Sequence, residues 1–194
     1  MTSPIYRNNS ITKLEYTEET KQSLYTMLSY GANHAGSDAT AIQYFNTRIS
    51  YAEFMDMVHA CAAAFLAHGV KKGDFVTIFL PNIPQCVIAV YAINRIGAVC
   101  NLVHPLSTLE EFRYAVNLTE SKHVLTFELN EGHCSDLGVE VIRCRTPEYF
   151  PKGPKGLIMK TVYNHSVRNS KKTSGKVTEW TEFLKEGKEI LKAK

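Results

Sequence analysis

No segment of this chain stays apolar for long enough to span a bilayer. Its most apolar stretch, Pro84 to Val103, is interrupted by Asn94, Arg95 and Gly97, whereas a spanning helix needs roughly 20 consecutive apolar residues. The opening MTSPIYRNNSITKLEYTEET holds no apolar core of the kind a secretory leader requires. A cytoplasmic protein is therefore expected, with at most peripheral membrane contact. Paired cysteines are missing too. The five present, Cys61, Cys86, Cys100, Cys134 and Cys144, form an odd set without a C-x-x-C pair; three sit in apolar runs and read as reduced core thiols. Cys134 stands beside His133 in NEGHCSDLG without a second His or Cys at ligand spacing, so the pair reads as a loop and no metal is expected. N-x-S/T triplets at Asn8, Asn117 and Asn164 are glycosylated only on a secretory route and count as chance matches.

Acidic residues are absent from Tyr149 to Thr178, a segment that carries Lys152, Lys155, Lys160, Arg168, Lys171, Lys172 and Lys176. The remaining 15 basic and 19 acidic residues leave the rest of the chain at −4, so the overall +3 does not describe a uniformly basic protein. It describes a near-neutral α/β body, residues 1–148, followed by a basic segment and a short terminal helix, 149–194. With 194 residues, 44% of them hydrophobic, the chain can bury one core but not two of ordinary size. The basic segment has one interior aromatic, Tyr163, for stacking and no recognition motif. It reads as solvated and mobile; no nucleic-acid partner is expected, and an anionic membrane surface ranks slightly ahead of one. Within it, PKGPKG (151–156) has prolines where a phosphate cradle needs N–H groups, and reads as a linker. KKTSGK (171–176) lacks the G-x-x-x-x-G-K-S/T spacing and has no strand before it.

What is present is a regular alternation. Residues 1–16 are unpatterned; Thr17 to Asn33 carries Leu24, Met27 and Leu28 on one helical stripe, and Ala39 to Phe45 suits a short strand. Ser50 and Glu53 form a capping box with Ile49 and Phe54 at the staple positions, so a helix starts at Tyr51, and Gly69 follows its end as a left-handed cap. Phe75 to Leu80 reads as a strand, Pro84 to Ile96 as a helix closed by Gly97, and Ala98 to Val103 as the next strand. Thr108 and Glu111 make a second capping box opening a helix from Leu109 to Ser121, ahead of a strand from His123 to Leu129. A further strand is expected at Val139 to Cys144, and a last helix at Thr178 to Leu191 with little left to pack on. Strands alternating with helices of these lengths predict an α/β fold with a mostly parallel sheet and flanking helices.

In such a sheet, ligands bind outside the carboxyl ends of the strands. The loops there are PNIP (81–84) and HPLST (104–108), which makes Asn82, His104, Ser107 and Thr108 the candidate substrate-pocket residues. Each has a local alternative. Asn82 sits where a helix N-cap belongs, Ser107 and Thr108 likewise, and His104 has no identifiable carboxylate partner. No catalytic, cofactor-binding or metal-binding residue can be assigned.

The stretch RISYAEFMDMVHACAAAFLAHGVKKGDFVTIFLPNIPQCVIAVYAINRIGAVCNLVHPLSTLEEFRYAVNLTESKHVLTF resembles the N-terminal portion of AMP-forming acyl-CoA synthetases, the adenylate-forming superfamily. The resemblance spans Thr17 to Leu129 and continues weakly to TEWTEFL; it rests on ISYAEF, GVKKGDFV, LPNIPQ and AINRIGAVCNLVHPLS taken together. It implies part of the N-terminal domain of the acetyl-CoA synthetase-like fold. It also implies a parent enzyme that uses ATP, Mg and CoA to turn a carboxylic acid, fatty acids foremost, into acyl-AMP and then acyl-CoA. The family's Ser/Thr/Gly-rich phosphate loop would follow TEWTEFL, so the resemblance implies an N-terminal fragment, inactive alone and binding no cofactor. Its partners would be the remainder of the parent chain or, through exposed apolar surface, other copies of itself. The alternative is a stand-alone interaction or ligand-binding module built on the same fold.

Overall fold

The protein is described by a computed structural model for residues 23–193; the unpatterned lead-in and residues 17–22 of the first expected helix lie outside the described residues. In chain order the elements are α1 (Leu24–Ala35), β1 (Thr40–Tyr44), β2 (Thr47–Ser50), α2 (Tyr51–Ala67), β3 (Phe75–Phe79), α3 (Pro84–Arg95) and β4 (Val99–Leu102). They continue with α4 (Leu109–Leu118), β5 (His123–Thr126), β6 (Glu140–Arg143), α5 (Pro154–Ser166), β7 (Val177–Glu179) and α6 (Trp180–Lys192). Strands β3 to β7 form one sheet in the order β4-β3-β5-β6-β7, every pair parallel, as the alternation requires.

Local chemistry sets most boundaries. Both capping boxes form: Ser50 Oγ accepts from Glu53 N at 3.2 Å while Ser50 N donates to Glu53 Oε2 at 2.9 Å, and Thr108 and Glu111 repeat the exchange. Gly69 (φ 87°) and Gly97 (φ 75°) each follow a helix in the left-handed region. There Val70 N reaches Phe65 O at 3.0 Å and Ala98 N reaches Ile93 O at 3.1 Å, closing the last carbonyls in the same motif. Helix α4 ends three residues before the expected Ser121 because Glu120 turns left-handed (φ 49°). Strand β5 stops at Thr126, where a turn closed by Asn130 N on Phe127 O at 3.0 Å begins. Strand β2, unforeseen, pairs antiparallel with β1 around Phe45 and Asn46.

The pleat divides the core. Val76, Ile78, Leu125 and Ile142 face one way and are buried with Phe65 of α2, Ile88 of α3 and Phe183 of α6. Phe79, Val124 and Val141 face the other way against Phe112 and Val116 of α4. Each fully buried side chain of this size contributes about 1.5–3 kcal/mol.

Two expectations for the C-terminal quarter are corrected. The basic segment is not a mobile linker: Pro154 starts α5 at the first helical position, where its missing N–H costs no hydrogen bond. Nor does α6 lack a packing surface, since Trp180, Phe183 and Leu184 are buried, with the Phe183 ring 4.9 Å from that of Phe65. After residue 148 the chain supplies the fifth strand of the sheet, β7, paired with β6. Among the described residues no helix is long and apolar enough to cross a membrane.

Candidate functional site

The carboxyl ends of β3 and β4 lie side by side, with Ile78 opposite Leu102 and Val103 N donating to Ile78 O at 3.0 Å. Their loops therefore neighbour one another. Asn82 is exposed, and the expected capping role fails: the N-cap of α3 is Ile83, buried and without a side-chain cap bond. The helix starts at Pro84, whose missing N–H and fixed φ suit the first turn, so the cap position falls on the residue before it. His104 is exposed; its Nδ1 accepts from Leu106 N at 3.2 Å and its carbonyl from Ser107 N at 2.9 Å, a local turn. Ser107 is half-buried, and Thr108 caps α4 as foreseen. No side-chain hydrogen bond joins any of these four to another among the described residues.

The chemistry-bearing groups gather instead at the carboxyl ends of β5, β6 and β7. Glu131, fully buried, takes Arg143 Nε at 2.6 Å and Nη2 at 2.7 Å in a bidentate pair, with Thr173 N at 3.2 Å and Lys172 Nζ at 3.4 Å completing its shell. Burial by itself raises this carboxyl, but the Arg143 hydrogen bonds and the Arg143 and Lys172 charges outweigh it and hold it below the usual value. Arg143 also reaches Glu179. Between the same two strand ends, buried Glu128 accepts from Arg145 Nε at 3.0 Å and from the Tyr163 hydroxyl at 2.9 Å, and Arg145 Nη2 donates to Asn164 at 2.9 Å. Of these side chains, Glu128, Arg143, Arg145, Asn164, Lys172 and Glu179 line a polar cavity of about 220 Å³. Its carboxylates are saturated by the chain's own donors, so its first effect is to clamp α5 and the 171–173 turn onto the sheet.

Beside it lies a more apolar groove of about 410 Å³ between the turn at Thr146–Tyr149 and α6, with Trp180, Leu184 and Tyr149 among its walls and Lys185 and Lys188 on its lining. Glu148 opens onto it, its carboxyl pushed up to about 7 by burial and the Glu179 charge, against a 2.8 Å bond donated by Gln85 Nε2. That Nε2 also donates to Arg145 O at 2.8 Å, while Oε1 of the fully buried Gln85 has no partner. Glu148 is thus a carboxyl titrating near neutrality beside an aromatic wall and two lysines.

Apart from Tyr163 and Lys172, which the sequence shows only as members of the basic segment, none of these groups was singled out by sequence reading. The usable signal was the pattern of Glu128 and Glu131 just past one strand and Arg143 and Arg145 at the end of the next, opposite charges that become neighbours only once β5 and β6 pair in register.

The sequence profile of the AMP-binding enzyme family matches residues 30–184. An acetyl-coenzyme A synthetase from Allorhizobium ampelinum is 40% identical over 83 residues, 43% of this chain and 13% of the relative. A long-chain-fatty-acid–CoA ligase from Bacillus subtilis is 29% identical over 92 residues, 47% of this chain and 16% of the relative. Among solved structures, the anthranilate CoA ligase AuaEII in complex with anthranoyl-AMP superposes with a TM-score of 0.63 at 10% identity, covering 84% of this chain and 28% of that one. The chain thus spans less than a fifth of the length of these curated relatives. At that identity the structural likeness shows the α/β fold.

Proposed function

The chain belongs to the AMP-binding enzyme family, and from that premise we propose that it serves as the N-terminal part of an acyl-CoA synthetase. In this reading the whole enzyme activates a carboxylic acid, fatty acids foremost, with ATP to acyl-AMP and passes the acyl group to CoA. The supporting observation is the family match over residues 30–184, laid on a parallel sheet whose carboxyl edge carries a groove walled by Tyr149, Trp180 and Leu184. Relatives named for acetate and for long-chain fatty acids both match, so the acid is a question for experiment.

The residues described do not fit a triphosphate–magnesium site. Arg143, Arg145 and Lys172 at the carboxyl edge have donors committed to Glu131, Glu179 and Glu128, and among the described residues no group of His, Cys, Asp or Glu is placed to hold a metal ion. No step through ATP or Mg is assigned to this chain, and alone it is proposed to be inactive, because adenylation needs preorganised donors to the phosphates. Leu102 on edge strand β4, Leu106 in the loop after it and Leu118 at the end of α4, all exposed, are the residues proposed to meet the rest of the enzyme, or a second copy when the chain is alone.

A chimera tests the reading. Residues 30–184 replace the matching segment of the Bacillus subtilis relative, and acid-dependent ATP–pyrophosphate exchange is measured with acetate, hexanoate and palmitate. Exchange with at least one acid is expected from the chimera and none from the chain alone. A folded chimera inert toward all three acids, or exchange by the chain alone, sinks it.

A further inference from the structure

Helix α5 seats one side on the protein and leaves the other bare. Gly156 is buried, and a Cβ on it would stand 1.6 Å from the Pro151 carbonyl oxygen. Tyr163 and Asn164 bond inward, to Glu128 and Arg145 respectively. The opposite side presents Leu157, Ile158, Thr161, Val162 and His165 at i, i+1, i+4, i+5 and i+8, one continuous helical stripe. Leu157 is 66% exposed, Ile158 65% and Val162 65%, so three aliphatic side chains share one open face. Exposed Lys155 borders that stripe next to Val162, exposed Lys160 falls between Tyr163 and Asn164 on the seated side, and exposed Arg168 and Lys171 follow the helix. Among the described residues none of these four cations is paired with a carboxylate, and no Asp or Glu occurs from Tyr149 to Thr178.

From this arrangement we infer that α5 is an interfacial helix that docks on an anionic membrane surface, its Leu157–Ile158–Val162 stripe entering the headgroup region, with Lys155 beside the stripe and Arg168 and Lys171 beyond the helix end reaching lipid phosphates. Three aliphatic side chains alone bind a bilayer weakly, and a few cations alone are screened by salt; together they add. Lysine suits the border of the stripe because its stem can lie along the apolar layer while the ammonium stays at the phosphates. Single-stranded nucleic acid fits the face less well, since the one aromatic of α5, Tyr163, is turned inward with its hydroxyl on Glu128 and offers no stacking platform. The inference does not depend on which acid the enzyme activates, or on its being an acyl-CoA synthetase.

The test is co-sedimentation of the full chain with phosphatidylcholine vesicles, with and without one-third phosphatidylserine, across a salt titration. Binding is expected only with the anionic lipid and should weaken steadily with salt. Lys155→Gln should lower partitioning about five-fold, and Ile158→Glu should abolish it while leaving the circular dichroism melt unchanged, because the side chain is exposed. If Ile158→Glu does not fold, Leu157→Ser and Val162→Ser together serve instead. Absence of binding to the anionic vesicles overturns the inference, as does binding that the apolar substitutions leave intact. A change in oligomeric state with unchanged vesicle binding assigns the stripe to a second copy and also overturns it, as does binding to a mixed-sequence oligonucleotide without binding to vesicles.

Discussion

Gly187 of α6 lies against the main chain of Ala60 in α2, so close that a Cβ on Gly187 would stand 1.8 Å from the Ala60 carbonyl oxygen. The obstacle is backbone in the middle of a helix, which cannot swing aside as a side-chain tip can. Gly187→Ala should therefore push α6 off α2 and cost about 3 kcal/mol, the upper part of the range for overpacking. Urea unfolding measures it; Lys188→Ala on the same helix, where the side chain is exposed, should stay within about 0.5 kcal/mol of the parent. Equal stabilities for the two variants would show that the helices part at no cost.

Arg143 and Glu131 form the most buried charge pair of the carboxyl edge. Removing only the cation, in Arg143→Met, leaves a fully buried carboxylate with only Lys172 Nζ and Thr173 N as donors and should cost about 3 kcal/mol. Adding Glu131→Leu to that variant should restore part of the loss, since two apolar groups replace two charges. Glu131 titrates low in the folded chain, so the stability it brings is present above its unfolded value and is lost as pH falls through the folded one. The acid limb of a stability–pH curve should flatten in the double variant. Strictly additive losses would refute the pairing account.

Glu148 has the opposite sign. Its carboxyl is raised from 4.5 to about 7, chiefly by burial, so the folded chain holds its proton more tightly than the unfolded one. The resulting stability is complete below the unfolded value and is lost as pH climbs through about 7. Glu148→Gln keeps the Gln85 contact without a titrating group. Relative to the parent, it should gain about 2 kcal/mol in urea unfolding between about pH 5 and pH 8. A parent-to-variant difference that is flat across that window counts against the assignment.

The thiols offer a simple probe of the core. Cys61, Cys134 and Cys144 are buried and Cys86 and Cys100 half-buried; burial raises all five, Cys100 to about 11 and Cys134 to about 12. Little thiolate is present at about pH 8, so Ellman's reagent should react slowly with the native chain and rapidly with five groups in urea. Should any native thiol react at the rate of free cysteine, the burial that underlies the sheet packing is wrong.

The parts of the molecule that the sequence by itself determined are those whose partners lie within a few residues. The capping boxes at Ser50 and Thr108 and the left-handed closures at Gly69 and Gly97 are bonds between residues three to five apart, so their chemistry is written consecutively. The parallel α/β character follows from the alternation of those elements. Tertiary structure decided the rest. The cation-rich run after residue 148 becomes a helix and a strand because Tyr163, Asn164 and Lys172 find Glu128, Arg145 and Glu131, partners 19 to 41 residues away in the chain. The same holds for α6, buried by contact with Phe65 and Ala60 more than a hundred residues earlier, and for Asn82, displaced from its expected cap by the proline two positions on. The four loop residues read as candidates were visible because a parallel sheet puts its loops at one edge. The Glu–Arg clamp and the raised Glu148 were not, because charge pairing and desolvation depend on which strand ends lie side by side, and only the folded sheet order sets that.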